Sequence, residues 1–159
     1  MASPPRGNTG HGAYFVTAST FQRSLLFRKE PMARLFVEVL FHYRDKKNYL
    51  LHEFVLMPDH FHLLLSPALS LERSLQLIKG GFSYRAKREL EFHGEIWEKS
   101  FYDRRVRAFE DYHNFKHYIR RNPVKRGLAG SPAEYPYSSA HQGSVLDDVP
   151  ERLKLALTA

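Results

Sequence analysis

His60-Phe61-His62 is the place in this chain of 159 residues where side-chain chemistry most exceeds what folding alone requires. It follows Pro58-Asp59, a tight-turn pair, and leads into Leu63-Leu64-Leu65, so it reads as the opening of a strand. Side chains alternate across a strand. His60 and His62 therefore share one face, joined only by Leu64, while Phe61, Leu63 and Leu65 take the other. Two imidazoles about 7 Å apart along one face can converge on a single divalent ion.

Tyr118 and Asn122 form the second constellation, four residues apart in a helical stretch and so one above the other. An amide oxygen there can complete a metal site begun by two imidazoles, with a phenol alongside. A phenol ionises only near pH ~10 and is a weak nucleophile at neutral pH. To attack a phosphodiester it needs the phosphate polarised by a metal and held in line with the leaving oxygen. The plainer readings are a packing aromatic for Tyr118 and a helix cap for Asn122, because the residue before a proline is pushed out of the helical region. Tyr112, Tyr135 and Tyr137 are rival nucleophiles. Tyr112 lies six residues away and off the Tyr118 face, and the other two sit in a proline-bounded loop.

The elements that must carry these residues follow from pattern. Ala13–Ala18 is a β-branched and aromatic run, read as the first strand. A helix starts at Pro31 and runs to about Lys46, with Leu35, Phe36, Val39, Leu40 and Tyr43 on one side. Tyr49–Met57 and His60–Ser66 are the second and third strands about the Pro58-Asp59 turn. Leu71 to about Phe92 is helical by its apolar spacing, interrupted in pattern by Gly80-Gly81. Phe101–Ala108 is a fourth strand, and Asp111 to about Asn122 a last helix stopped by Pro123, with a short helical stretch at Pro150–Leu157.

The expected architecture is α+β: a ferredoxin-like split βαβ fold, its antiparallel sheet covered by helices on one face, plus a C-terminal helix carrying the tyrosine. The chain reads as a tail over residues 1–10, one catalytic domain over 11–140 and a C-terminal extension over 141–159. On the neighbouring strand, alternation lets only one of His52 and Glu53 face the histidine side.

Composition narrows the chemistry. No cysteine is present, which excludes thiolate metal sites, disulfides and cysteine nucleophiles. No secretory leader and no membrane-length apolar run is visible, so a cytoplasmic location without membrane partners is expected. From Arg73 to Arg126 fourteen Lys/Arg stand against seven Asp/Glu, an excess equal to the whole net charge of +7. Tyr84, Phe101, Tyr102 and Tyr118 are interleaved with those cations. A basic surface with aromatic neighbours suits single-stranded nucleic acid; a merely solvated basic face is the alternative. Lys79, Arg85, Arg104, Arg105, Arg120, Arg121 and Lys125 are the candidate DNA contacts. Trp97 reads as core more readily than as a base-stacking ring.

Taken in order, MPDHFHLLL (57–65), GEIWEKSFYDRRVR (94–107), HYIRRNPVKRGL (117–128) and YPYSS (135–139) resemble the single-tyrosine HUH transposases, above all the REP-associated tyrosine transposases. The resemblance runs from about Gly12 to Ala140. It implies cutting of single-stranded DNA beside a hairpin, with His60 and His62 binding Mg²⁺ or Mn²⁺ and Asn122 in the place of a third, amide ligand. Tyr118, matching the tyrosine of the YIxxNP stretch, is implied to form a 5′-phosphotyrosine link that another strand's 3′-hydroxyl can reverse. Monomers and homodimers are both compatible with it. Asp59 stands where relatives often carry a small polar residue, and it reads as a turn former or as an acceptor orienting a histidine. Two other functions are compatible with the residues: a hairpin-binding module or repressor that does not cut, and a metallophosphohydrolase acting through activated water, which would want more carboxylates than are found.

Overall fold

In the computed structural model, residues 12–141 and 146–154 are described. The strands are β1 (Ala13–Ser19), β2 (Tyr49–Met57), β3 (His60–Pro67) and β4 (Tyr102–Val106); the helices are α1 (Glu30–Asp45), α2 (Leu71–Glu89), α3 (Phe109–Lys125) and the short α4 (Glu151–Lys154). The sheet order is β2-β3-β1-β4, with every neighbouring pair antiparallel. β1, α1 and β2 make a crossover into whose gap β3 inserts, which is the split βαβ arrangement expected from the element order. The tail expected over residues 1–10 lies outside the described residues.

Each face of the sheet buries its own core. Tyr14, Val16, Phe61, Leu63 and Leu65 pack with Phe36, Leu40, Ile78 and Phe82 of α1 and α2. Ala13, Phe15, Val55, Met57, Leu64 and Val106 pack with Tyr112 and Ile119 of α3. The histidine face is thus the face α3 covers. Trp97 is core, as expected: its ring packs among Phe27, Phe36, Phe61 and Phe82. Its Nε1–H donates to the Lys79 carbonyl over 3.0 Å.

The departures from the sequence expectations that bear on the site lie in α2 and α3, while β4 is shorter than expected, Tyr102–Val106. α2 passes unbroken through Gly80-Gly81 and ends at Glu89. A Cβ on Gly81 would lie 2.8 Å from the ring of Tyr43, so this glycine lets α1 and α2 approach closely. α3 begins at Phe109, because the Asp111 carboxylate accepts from the backbone N–H groups of Arg107 (3.0 Å) and Ala108 (3.1 Å) and fixes the first turn. It then continues through Pro123 to Lys125. Only the final turn follows Pro123, and its amides still find partners: Arg126 N–H donates to Asn122 O and Leu128 N–H to Pro123 O. Asn122 therefore stays within the helix and does not cap it.

A register shift in β2 between Leu51 and Glu53 overrides simple alternation at His52. His52 meets the Tyr112 ring of α3, while Glu53 pairs with Arg120 of the same helix, so both turn toward α3. Beyond α3, YPYSS lies along the outer edge of β2. Leu56 N–H donates to Tyr137 O, Ser139 N–H donates to Phe54 O, and Val55 bridges Ser138.

Candidate active site

β3 delivers the two imidazoles as its alternation requires, both buried and with ring centroids 4.8 Å apart. The Asp59 carboxylate accepts from His60 Nδ1 at 2.7 Å, so the proton sits on Nδ1 and the Nε2 lone pair is left for another partner. His62 Nδ1 lies 2.7 Å from the hydroxyl of Thr17, its register partner on β1. His62 Nε2 is buried and without a hydrogen-bond partner. Burial pushes His62 down to about 3, helped by the mutual repulsion it would feel from a protonated His60 and by the positive charges of Arg126 and Arg23. His60 is also lowered, chiefly by burial, against the raising pull of Asp59. Both rings are therefore neutral near pH 7, the form that ligates a cation.

Asp59 is held in turn. Burial raises its carboxyl, but His60 and Arg23 together bring it below the ordinary range. Arg23 Nε donates to Asp59 over 3.1 Å, and its Nη1 donates to Ser19, the register partner of His60, over 3.0 Å. To reach there, Gln22 and Arg23 adopt consecutive left-handed conformations (φ 53° and 56°). Such non-glycine residues cost about 1–3 kcal/mol each and persist only where neighbours fix them. Here Gln22 N–H donates to the Glu98 carboxylate over 2.8 Å.

α3 brings the phenol to the histidines. The Tyr118 ring meets His62 edge-on at 5.3 Å and Phe15 at 5.8 Å, and Phe15 stacks on His62. Tyr118 keeps 47% of its surface exposed, whereas Tyr112 and Tyr135 keep 5% and 8%. Burial raises the Tyr112 phenol and pushes Tyr135 up to about 12, and the Tyr135 hydroxyl is engaged by the carbonyl of Leu56. Asn122, one turn beyond Tyr118, is buried with its amide nitrogen unpartnered. Turned about its last bond, that amide presents an oxygen in the same place. Two unpartnered buried atoms, one imidazole nitrogen and one amide end, fit the donor set of a divalent cation. Among the described residues no group of three His, Cys, Asp or Glu is placed to hold a metal ion.

A cavity of about 440 Å³ opens beside the phenol, lined by Asn114, His117, Tyr118, Arg121, Asn122, Lys125 and Arg126. Of the cations expected to meet DNA, Arg121 and Lys125 line it and are exposed. Arg104 and Arg105 are exposed on β4, with Arg104 opposite Phe15 on the histidine face and Arg105 opposite Tyr14 on the other. The remaining three are engaged within the chain. Lys79 donates to the carbonyls of Glu98 and Ser100, Arg85 pairs with Glu38 and Glu89, and Arg120 pairs with buried Glu53, which Ser139 also supports. His52 bonds Ser66 and the Asp147 carbonyl, so neither it nor Glu53 joins the histidine pair. Sequence reasoning missed Thr17, Phe15 and Arg23 as residues of this site. The first two follow from strand register, and nothing in the sequence signals the left-handed pair that aims Arg23.

The family model described as "Transposase IS200 like" matches residues 11–122. A protein of Haemophilus influenzae named as a REP-associated tyrosine transposase is 29% identical over 108 residues, which cover 60% of this chain and 61% of that relative. Among solved structures, a REP-associated tyrosine transposase bound to a REP hairpin superposes with a TM-score of 0.74 at 21% identity, over 91% of this chain and 88% of the other. A transposase structure from Deinococcus radiodurans gives a TM-score of 0.51 at 19% identity, over 74% and 95%. These two likenesses establish the fold.

Proposed function

The chain belongs to the IS200-like transposase family, and from that premise we propose that it cuts and rejoins single-stranded DNA beside a hairpin, with Tyr118 as nucleophile. The observation that carries this reading is the contact of Tyr118 with His62 at 5.3 Å, made by an exposed phenol while Tyr112 and Tyr135 are buried. His60, His62 and Asn122 are the residues that would hold Mg²⁺ or Mn²⁺. When bound, such an ion polarises the scissile phosphate and neutralises the charge that builds on it. The chain's own residues do the rest. Asp59 and Thr17 fix the imidazoles, Phe15 backs His62, and α3 keeps the phenol beside them.

The phenol oxygen of Tyr118 loses its proton and bonds to phosphorus as the bond from phosphorus to the 3′-oxygen breaks. That oxygen takes a proton and leaves as a 3′-hydroxyl, while the 5′-phosphate stays on the tyrosine. A second strand's 3′-hydroxyl reverses the exchange, because each step breaks one phosphate ester and makes another. Arg121 and Lys125, exposed in the cavity beside Tyr118, are the phosphate contacts best placed to receive the strand.

The test is a denaturing gel after incubation with a labelled hairpin oligonucleotide and Mn²⁺. Wild type is expected to give a protein–DNA adduct. Tyr118→Phe is expected to abolish it while retaining gel-shift binding; an adduct that persists in this variant removes Tyr118 from the role.

A further inference from the structure

Along the exposed side of α3 runs a file of residues at every fourth position: Phe109, His113, His117, Arg121 and Lys125. Phe109 and His113 stack at 6.2 Å with planes 27° apart, and His113 and His117 at 6.5 Å with planes 19° apart. His113, His117, Arg121 and Lys125 are all exposed. At 3.6 residues per turn each step of four advances roughly 40° around the helix, so the file winds obliquely toward Tyr118. It also joins two hollows. Phe109 and His113 line one of about 360 Å³ under the C-terminal segment, while His117, Arg121 and Lys125 line the one that holds the nucleophile.

Bases in a stacked strand rise ~3.4 Å apart, so a base held between two rings needs them about 6.8 Å apart. Both ring pairs lie close to that spacing already. Arg121 and Lys125 continue the file where rings give way to cations, and neither pairs with an acidic group among the described residues. Rings that accept any base, followed by cations that accept phosphates, are the parts of a sequence-tolerant platform for single-stranded nucleic acid.

We propose that this file is a base-stacking track for the single strand flanking the cleaved phosphate, with bases seated against His113 and His117 and phosphates on Arg121 and Lys125. The proposal rests on the reading of single-stranded DNA as substrate, and it adds to that reading where the strand lies. It assigns the two histidines a stacking role and no proton transfer.

The test titrates the full chain, in chelator, into an oligothymidylate carrying a central 2-aminopurine, whose fluorescence falls when its base stacks. Wild type and Tyr118→Phe are expected to quench it alike. The double variant His113→Ala/His117→Ala is expected to lose the quench and to bind about tenfold more weakly per ring removed (~1.4 kcal/mol). His113→Phe/His117→Phe is expected to restore both. An abasic oligonucleotide of equal length should bind wild type as weakly as the intact one binds the double alanine variant. A quench that survives alanine at both positions, or a wild type that never quenches, overturns the track. Quenching without a covalent adduct on hairpin DNA would sink the cleavage reading and leave the track standing; an adduct without quenching does the opposite.

Discussion

Thr17 and Asp59 decide which nitrogen each imidazole offers, and that choice is the chemistry of the site in miniature. Because Asp59 accepts from His60 Nδ1, replacing it by alanine frees the ring to turn and removes the acceptor that makes Nε2 basic. Asp59→Ala is expected to weaken Mn²⁺ binding about 10- to 100-fold by titration calorimetry; an unchanged affinity would take Asp59 out of the site. The histidines also set an acid limit. His62 is held at about 3 against an ordinary 6.5, so between those values the folded chain keeps it neutral while the unfolded chain protonates it. Protons then favour unfolding. Stability of the metal-free protein should fall as pH drops from 6.5 toward 3, by up to about 1.4 kcal/mol per pH unit from this residue. Urea melts in chelator across that window should show a shallower slope for His62→Gln than for wild type, and equal slopes would refute the assignment.

At the scale of elements, the strands were legible because alternation and bounding turns both agreed with the sheet, and β2 matches its expected limits. α3 was legible in its middle and not at its ends. Its start depends on the Asp111 carboxylate closing back on Arg107 and Ala108, and its end on a proline placed late enough that only one turn follows. The bulge at His52 was hidden for a different reason: register shifts arise from pairing between strands and leave no mark in one strand alone. Gly80-Gly81 looked like a break and is instead half packing device. At Gly80 a methyl group would meet open space, whereas at Gly81 the same place is filled by Tyr43. Gly80→Ala should therefore stabilise by about 0.5–1 kcal/mol through helix propensity, while Gly81→Ala should gain nothing or lose stability to the clash. Thermal melts of both variants check this, and equal stabilisation would mean the two helices part easily.

Across the whole molecule the net charge of +7 suggested a polyanion, but it did not say which cations remain available. Arg120 pairs with Glu53, 67 residues away, and Lys79 serves two carbonyls about twenty residues on, distances no local pattern reveals; Arg85 has one partner 47 residues away, Glu38, beside the helical neighbour Glu89 that spacing alone would suggest. The site itself was readable as residue types and only partly as geometry: His62 meets both His60 and Tyr118, and Asn122 lines the cavity beside Tyr118, while Thr17, Phe15 and Arg23 entered through tertiary structure. The distinction is measurable. For single-stranded DNA, Arg121→Ala/Lys125→Ala should reduce the slope of log affinity against log salt by about 1.4, since each lost phosphate contact removes ~0.7. Arg85→Ala should leave that slope unchanged; a change there would show that its ion pairs open to receive DNA.

The segment after residue 145 ties together strands that never touch. Asp147 exchanges backbone and carboxylate bonds with Leu51 on β2, while farther on Arg152 donates to the Val106 carbonyl on β4 and Leu153 is buried beside that strand. The two margins of the sheet are thus laced by a single cord passing the N-terminal end of α3. Whatever slackens that cord loosens both margins together, so amide exchange there should rise in concert and not one border at a time.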